Sequence, residues 1–152
     1  MSAPVAVPVT GHIGLNVSQL DRSIDFYRTV FGFELVRRSA DAARPYAFLG
    51  HEGVIVVTLW QQSGGAFASD RPGLHHLSFQ AASLDEVRAA EGRVRAAGAR
   101  LHHDGVVAHA EGADSGGLFF EDPDGIRLEI FVRQGVAGSP VPHADGPTCG
   151  FF

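Results

Sequence analysis

Two short stretches decide the fold of this chain: His12-Ile13-Gly14-Leu15-Asn16-Val17 and His76-Leu77-Ser78-Phe79-Gln80. In both, apolar residues alternate with small or polar ones, which predicts a β-strand with one dry face and one polar face. Each histidine begins its strand and falls on the polar face. The same pair, Leu20-Asp21 and Leu84-Asp85, follows each histidine at the start of a helical pattern. The repetition therefore predicts two related structural modules.

Each repeat is predicted to contain one strand, one helix and three further strands. In the first repeat the helix starts at Arg22 with Asp21 as its cap, and Gly32 ends it. In the second repeat Ser83 or Asp85 caps a helix that runs to about Ala97. The predicted strands cover residues 11–17, 33–38, 45–50 and 53–60, and then residues 74–80, 100–104, 117–121 and 126–132.

We therefore expect one α+β domain over residues 1–152, with βαβββ modules at about 11–60 and 74–132. The modules are expected to form a cupped, barrel-like mixed sheet with the helices outside. Residues 1–10 are predicted to be a loose lead-in, and residues 134–152, rich in Gly and Pro, an irregular tail. The segment Asp122-Pro123-Asp124-Gly125 is predicted to be a turn.

The composition excludes several classes of function. The net charge of −5 argues against non-specific binding to nucleic acids and to anionic membrane surfaces. No stretch approaches the roughly 18 uninterrupted apolar residues of a membrane span. The single cysteine, Cys149, excludes an intrachain disulfide framework, and residues 1–10 lack the pattern of a signal peptide. We expect a cytoplasmic protein.

The polar faces of the predicted strands offer ligands for a metal ion. His12 and His76 occupy equivalent positions in the two repeats, and Glu129 lies on the last strand, on the same face as Arg127. An unpaired glutamate inside a barrel would be costly, and a metal ion or an ion pair with Arg127 would relieve that cost. Two imidazoles and one carboxylate leave coordination positions open for water, substrate or O2. The alternative is a vestigial triad in a binding protein.

Two longer motifs resemble those of a known family. The segment 12–33 follows the pattern His-Ile-x-Leu-x-Val, then four residues, then Arg-Ser-x2-Phe-Tyr-x3-Phe-Gly-Phe, and residues 118–129 read Leu-Phe-Phe-Glu-Asp-Pro-Asp-Gly-Ile-Arg-Leu-Glu. Both resemble signatures of the vicinal oxygen chelate superfamily, the glyoxalase/bleomycin resistance/dioxygenase group. The resemblance covers about 120 of the 152 residues. It implies modules that pair in an open barrel, either within one chain or swapped between two, a homodimer and a divalent metal ion in the cup.

The resemblance assigns the metal ligands one at a time. His12 and His76 match the first-strand ligands of the two modules, and Glu129 matches the last-strand ligand of the second. The fourth position falls at or near Val56, which cannot coordinate a metal, whereas glyoxalase I has glutamate there. The remaining set resembles that of extradiol dioxygenases and fosfomycin-resistance enzymes. His109 lies near the place where extradiol enzymes carry a catalytic acid–base histidine.

Five further residues are predicted to bind a substrate. They share the expected cup face: Tyr46, Phe48, Thr58, Trp60 and Arg127. The aromatic members could form a wall for a flat substrate, and packing in the core explains them equally well. For His109, the alternative to acid–base chemistry is an exposed loop histidine.

We therefore expect a metal-dependent, most simply dioxygenase-like enzyme that acts on a small substrate with two neighbouring oxygens. Imidazole and carboxylate ligands favour Fe2+ or Mn2+ here and also admit Zn2+, Ni2+ or Co2+. One alternative is a protein that sequesters an antibiotic or another small molecule without catalysis. A lyase or isomerase is a second alternative, and a fosfomycin-type thiol transferase is a third.

Overall fold

The computed structural model describes residues 5–151; residues 1–4 of the expected lead-in and Phe152 of the expected tail lie outside them. The first module contains β1 (Ile13–Asn16), α1 (Leu20–Phe31), β2 (Glu34–Arg38), β3 (Tyr46–His51) and β4 (Val54–Trp60). The second contains β5 (Leu77–Gln80), α2 (Leu84–Ala96), β6 (Val107–Ala108), β7 (Gly116–Glu121) and β8 (Arg127–Val132). A short 3-10 helix, Thr148–Gly150, follows.

The two modules have the same sheet topology. The strand orders are β1-β4-β3-β2 and β5-β8-β7-β6. In each sheet the first pair is parallel and the other pairs are antiparallel. The sheets are cupped and do not close into a complete barrel. The predicted α+β fold with two βαβββ modules is therefore confirmed.

The ends of the two helices confirm some of the predicted caps and correct another. Gly32 adopts the left-handed conformation, with φ of 73°, and ends α1 as predicted. The prediction that Asp21 caps α1 was wrong, because the helix begins at Leu20, two residues before the predicted start at Arg22. The N–H of Leu20 donates instead to the side-chain oxygen of Gln61, at 2.7 Å, from the segment after β4. In α2, the Ser83 hydroxyl accepts a hydrogen bond from the Glu86 N–H, as expected of an N-cap.

The predicted strand at 100–104 is wrong. Only Leu101 pairs in that stretch, through an isolated bridge to Phe120, and the edge strand β6 forms later at Val107–Ala108. The reason lies in the glycines that begin β7. A Cβ at Gly116 would come within 2.2 Å of the Val107 carbonyl oxygen, so the absence of a side chain there lets β6 approach.

One apolar core joins the two modules. It is built from the helices and from the faces of both sheets that the helices cover. The rings of Phe31 and Phe79 lie 4.7 Å apart across the module boundary, and the Arg93 Nε donates to the Val30 carbonyl at 2.9 Å, from α2 to α1. Since both sheets bury their helix-covered faces here, their other faces point away from the shared core. Among residues 5–151, no helix is long and apolar enough to cross a membrane.

The predicted turn at residues 122–125 also connects the modules. The Asp122 carboxylate accepts hydrogen bonds from the N–H groups of Asp124 and Ile126 within the turn, and from the Tyr27 hydroxyl of α1 at 3.0 Å. The Asp124 carboxylate in turn accepts hydrogen bonds from Ser18 and Arg22 of the first module. Burial and the adjacent Asp122 raise the pKa of Tyr27, so its hydroxyl stays a donor.

We expect Tyr27→Phe to lower the free energy of unfolding by about 1–3 kcal/mol, because it leaves a buried carboxylate oxygen without its donor. Tyr27 is fully buried, so water cannot replace the lost hydroxyl. Denaturation in urea measures the change, and Tyr46→Phe, at a half-buried tyrosine, is the matched control. Equal losses in the two variants would contradict the role of the Asp122 contact.

Candidate metal centre

Glu129 is the centre of the candidate site. It lies in the middle of β8, opposite Phe119 on β7 and Ser78 on β5, and its side chain faces away from the shared core. Only 3% of its surface is exposed. The carboxylate contacts the Nε2 of His109 at 2.6 Å through one oxygen and the Nε2 of His76 at 3.5 Å through the other. The predicted ligands His76 and Glu129 are therefore neighbours.

His76 and His109 contact Glu129 from the two opposite edges of the second sheet. His76 lies directly before β5, on the strand beside β8, and its Nδ1 contacts that of His75 at 2.8 Å. His109 follows the edge strand β6, and its Nδ1 contacts the Ser115 hydroxyl at 3.0 Å. The Ser115 contact holds the His109 ring with Nε2 towards the carboxylate. Sequence patterns alone did not single out Ser115.

The electrostatics keep these groups in the forms that bind cations. Burial would raise the pKa of Glu129, but hydrogen bonds from His109 and Ser78 and the nearby imidazoles outweigh it, so the pKa lies below its ordinary value. The pKa of His76 is lowered, mainly by burial, although Glu129 opposes this shift. An ionised carboxylate therefore adjoins a neutral imidazole at neutral pH, the protonation states that metal binding requires.

The donor set fits a divalent metal ion. A ligand atom of His76 and one of Glu129 lie 3.5 Å apart, a separation that two ligands with bonds of about 2.0–2.2 Å to one ion can span. Both side chains are mostly buried, and 21% of the His76 side chain is exposed, so the site can be reached from outside. The other carboxylate oxygen is held by His109, a hydrogen bond that orients a ligand.

His12 lies on the other sheet. It directly precedes β1 and is exposed, on the face that carries Thr58 and Trp60. Within residues 5–151, no hydrogen bond or ion pair joins His12 to His76 or Glu129. The same residues contain no group of three or more His, Cys, Asp or Glu side chains arranged to hold a metal ion. One chain thus brings together two of the three predicted ligands.

Val56 lies beside His12 in the first sheet. The parallel register of β1 and β4 pairs Ile13 with Val57, so the preceding residues, His12 and Val56, are also adjacent. An aliphatic side chain therefore occupies the position that matches the fourth ligand of glyoxalase I. The first module can contribute His12 but no carboxylate at this point.

The predicted aromatic residues form a cluster at the other end of β4. The ring centroids of Tyr46, Phe48 and Trp60 lie 5.1–5.9 Å apart, and the Trp60 indole N–H donates to the Thr58 hydroxyl at 3.0 Å. A cavity of about 540 Å³ opens beside Tyr46 and Trp60, along the loop that contains Arg44. Its size suits a small molecule. Neither His12, His76 nor Glu129 lines it.

Arg127, the remaining predicted residue, lies in β8 on the same face as Glu129. Its guanidinium does not pair with Glu129 but stacks on the ring of Phe151, with a distance of 5.1 Å to the ring centroid. The sequence showed only that the last residues, 149–152, are apolar and able to dock, because a segment without periodicity does not indicate where it packs. Ser78 was recognisable, since it follows His76 by two residues on the same face.

Comparison with known proteins identifies a family over most of the chain. The family model described as the Glyoxalase/Bleomycin resistance protein/Dioxygenase superfamily matches residues 10–130. A crystal structure of a glyoxylase/bleomycin resistance protein/dioxygenase domain from Frankia sp. EAN1pec superimposes with a TM-score of 0.74 at 26% identity. The alignment covers 85% of this chain and all of that domain.

The curated relatives differ in activity. A probable lactoylglutathione lyase of Vibrio cholerae is 32% identical over 81% of this chain and 89% of its own length. A probable trivalent organoarsenical cleaving enzyme of Bacillus subtilis is 31% identical over 91% of this chain and 88% of its length. A catechol-2,3-dioxygenase of Bacillus subtilis is 25% identical over 82% of this chain, but only 41% of that protein is covered.

We expect His109→Ala to lower the free energy of unfolding of the metal-free protein by about 1.5–3 kcal/mol, because a buried carboxylate loses its closest hydrogen bond. The matched control is His51→Ala, whose side chain is 67% exposed and lies 3.8 Å from Glu52. Urea denaturation after treatment with a chelator compares the two variants. A His109→Ala protein as stable as the control would show that the contact with Glu129 contributes nothing.

Proposed function

Because the chain belongs to the Glyoxalase/Bleomycin resistance protein/Dioxygenase superfamily, we propose that it is a metal-dependent enzyme whose small substrate carries two neighbouring oxygens. Dioxygenase-like chemistry is the form we favour. The observation that carries the proposal is the pairing of His76 with the ionised, buried Glu129. A buried carboxylate of this kind is expensive to maintain, and binding of a cation offsets its cost.

The proposed ligands are His76 and Glu129 of one chain and His12 of a second copy. The two sheets of one chain bury their helix-covered faces in one core, so the face with His12 and the face with Glu129 cannot close on each other. A second copy can present its first module to the second module of its partner. A twofold homodimer would then contain two identical sites, as closed symmetry requires.

The proposed metal ion is Fe2+ or Mn2+, with Zn2+, Ni2+ or Co2+ as other candidates for this ligand set. When bound, it would act as a Lewis acid that lowers the pKa of a substrate hydroxyl and stabilises the resulting anion. The protein's own residues would bind and orient the substrate around it. Because Val56 supplies no fourth ligand, more than one coordination position of the metal ion would stay open for the substrate oxygens.

His109 is the proposed acid–base group. Its ring lies at the carboxylate of Glu129, and 24% of its side chain is exposed, so a bound substrate can reach it. A histidine in this position can accept a proton from a substrate hydroxyl and return it later. Both ring nitrogens are engaged here, Nε2 by Glu129 and Nδ1 by Ser115, so His109 would exchange one of these contacts for the substrate hydroxyl before it accepts the proton.

A second candidate function is the sequestration of a small molecule without catalysis. The aromatic cluster of Tyr46, Phe48 and Trp60 beside the 540 Å³ cavity favours it, since stacking on rings binds flat compounds. In the proposed enzyme the same residues, with Thr58 and Arg127, bind the substrate. Sequestration does not require His12, His76 and Glu129, whereas the proposed enzyme does. The requirement for these residues therefore distinguishes the two functions. We propose the cytoplasm as the location, in keeping with the lone Cys149.

We expect about one Fe or Mn per chain in protein purified without chelator or nickel resin, measured by elemental mass spectrometry. His76→Ala and His12→Ala should each lose most of the metal, and His51→Ala should keep it. Metal-free wild-type protein, even after soaking with Fe2+, Mn2+, Zn2+ or Ni2+, would reject the enzyme and favour sequestration.

Mixing the two deficient variants tests whether the site is shared between chains. Joint refolding of His12→Ala with His76→Ala should restore about a quarter of the sites, because half of randomly formed dimers carry one intact site of two. If all three ligands came from one chain, mixing would restore no metal binding. Size-exclusion chromatography of the mixture confirms that dimers have formed.

The dioxygenase proposal is tested with Fe2+-loaded protein, catechol and O2. We expect one O2 to be consumed per catechol, with a ring-opened product that absorbs in the near ultraviolet. His109→Ala should lower kcat by a factor on the order of 10²–10⁴ while it keeps its metal. An iron-loaded protein that leaves catechol unchanged would exclude this chemistry. Fosfomycin with a thiol and Mn2+ then tests for a thiol transferase.

A further inference from the structure

A second, smaller apolar cluster lies on the face of the second sheet that carries Glu129. Val107, Phe119 and Phe151 form it, and Cys149 packs against them. Phe119 belongs to this cluster, whereas its neighbour Phe120 belongs to the shared core, since successive residues of β7 face opposite sides of the sheet. The cluster therefore lies inside the cup of the second module, on the same side as the candidate metal ligands.

Hydrogen bonds attach the segment after β8 to the edge of the sheet. The Ala108 N–H donates to the Pro140 carbonyl at 2.9 Å, and the Thr148 N–H donates to the His109 carbonyl at 2.9 Å. The Thr148 hydroxyl donates to the Ala108 carbonyl at 2.6 Å, and Thr148 is only 1% exposed. These contacts cover the open edge of β6 and fix the segment just before it enters the cup.

Phe151 is held in a backbone conformation that a phenylalanine seldom adopts. Its φ of 55° and ψ of 39° are left-handed. Such a conformation is strained for a residue with a Cβ and persists only where its surroundings determine it. The surroundings here are aromatic rings and the guanidinium of Arg127. The Phe151 ring centroid lies 5.5 Å from that of His76, 4.9 Å from that of His102 and 5.4 Å from that of Phe119.

We infer that Phe151 is a specificity-determining residue, whose ring forms one wall of the substrate-binding cup and limits the size of the substrate beside His76. The inference rests on the proposed function, because the cup holds a substrate only if His76 and Glu129 bind the metal ion. The Phe151 ring contacts both His76 and the Arg127 guanidinium, with centroid distances of 5.5 and 5.1 Å, and only 6% of the residue is exposed. The ring therefore fills space beside His76 that a larger substrate would need.

The chemistry of this wall selects flat, compact substrates. An aromatic face accepts a planar ring by stacking, whereas a bulky branched substituent on the same side collides with it. A hydrophobic pocket discriminates by about 10–200-fold for a single missing or added methylene, so one ring can decide among related substrates. Truncation of Phe151 should therefore open the cup to larger compounds.

The test measures binding of catechols to the metal-loaded protein. The reporter is 4-nitrocatechol, whose absorbance changes on chelation, and the competitors are catechol and 4-tert-butylcatechol. In Phe151→Ala we expect the affinity for 4-tert-butylcatechol relative to catechol to rise by at least about tenfold. The metal content, measured independently by elemental mass spectrometry, should stay at the wild-type value. The matched control is Phe33→Ala, at a half-buried ring that packs on the shared core.

Each outcome decides the inference. An unchanged affinity ratio in Phe151→Ala with full metal content would overturn it while leaving the proposed function intact. If Phe151→Ala does not fold, Phe151→Leu should give a smaller shift in the same direction, and failure of both variants to fold would assign the ring a purely structural role. A wild-type protein without metal would overturn the proposed function itself, and the inference with it.

Discussion

The burial of one apolar core between two modules is the constraint on which the rest of this structure depends. A four-stranded sheet with one helix cannot bury enough apolar surface alone, so the helix-covered faces of both modules join in one core. The aromatic contact of Phe31 with Phe79, and the contact of Tyr27 with Asp122, connect the modules. Because those faces are used for the core, the concave faces are left for function. Each chain therefore carries two half-cups, one in each module, on the faces of the sheets that do not take part in the shared core.

The polar groups of the second half-cup follow from that arrangement. Glu129 lies on a strand in the middle of its sheet, where only 3% of its surface is exposed, and it needs partners that replace water. His76 and Ser78 come from the strand on one side, and His109 comes from the far edge. These partners keep the carboxylate ionised in spite of its burial. The same side chains that stabilise the buried carboxylate thus leave it ionised beside a neutral imidazole, which is the pair on which the proposed metal site rests.

The relatives of this chain show how one scaffold serves several reactions. Proteins described as a lactoylglutathione lyase and as an organoarsenical cleaving enzyme have nearly equal identity to it. Likeness of this degree establishes the fold and leaves the reaction to the details of the site. Here those details are the valine at position 56, the contact of His109 with Glu129, and the ring of Phe151 in the cup.

The sequence by itself determined the repeated βαβββ modules and most of their strands, because alternation, helical spacing and glycine stops are local properties of the chain. It also placed His76 and Glu129 on one face, since their strands pair directly. It misplaced the cap of α1 and the strand at β6, because Gln61 acts on the helix from a distant segment and Gly116 acts on β6 from the paired strand. Only the tertiary structure decided that His12 lies on a separate face and that Phe151 enters the cup. The first outcome depends on which faces of the sheets pack together, and the second on where an aperiodic segment docks. Neither kind of packing produces a repeating pattern of residues that the sequence would show.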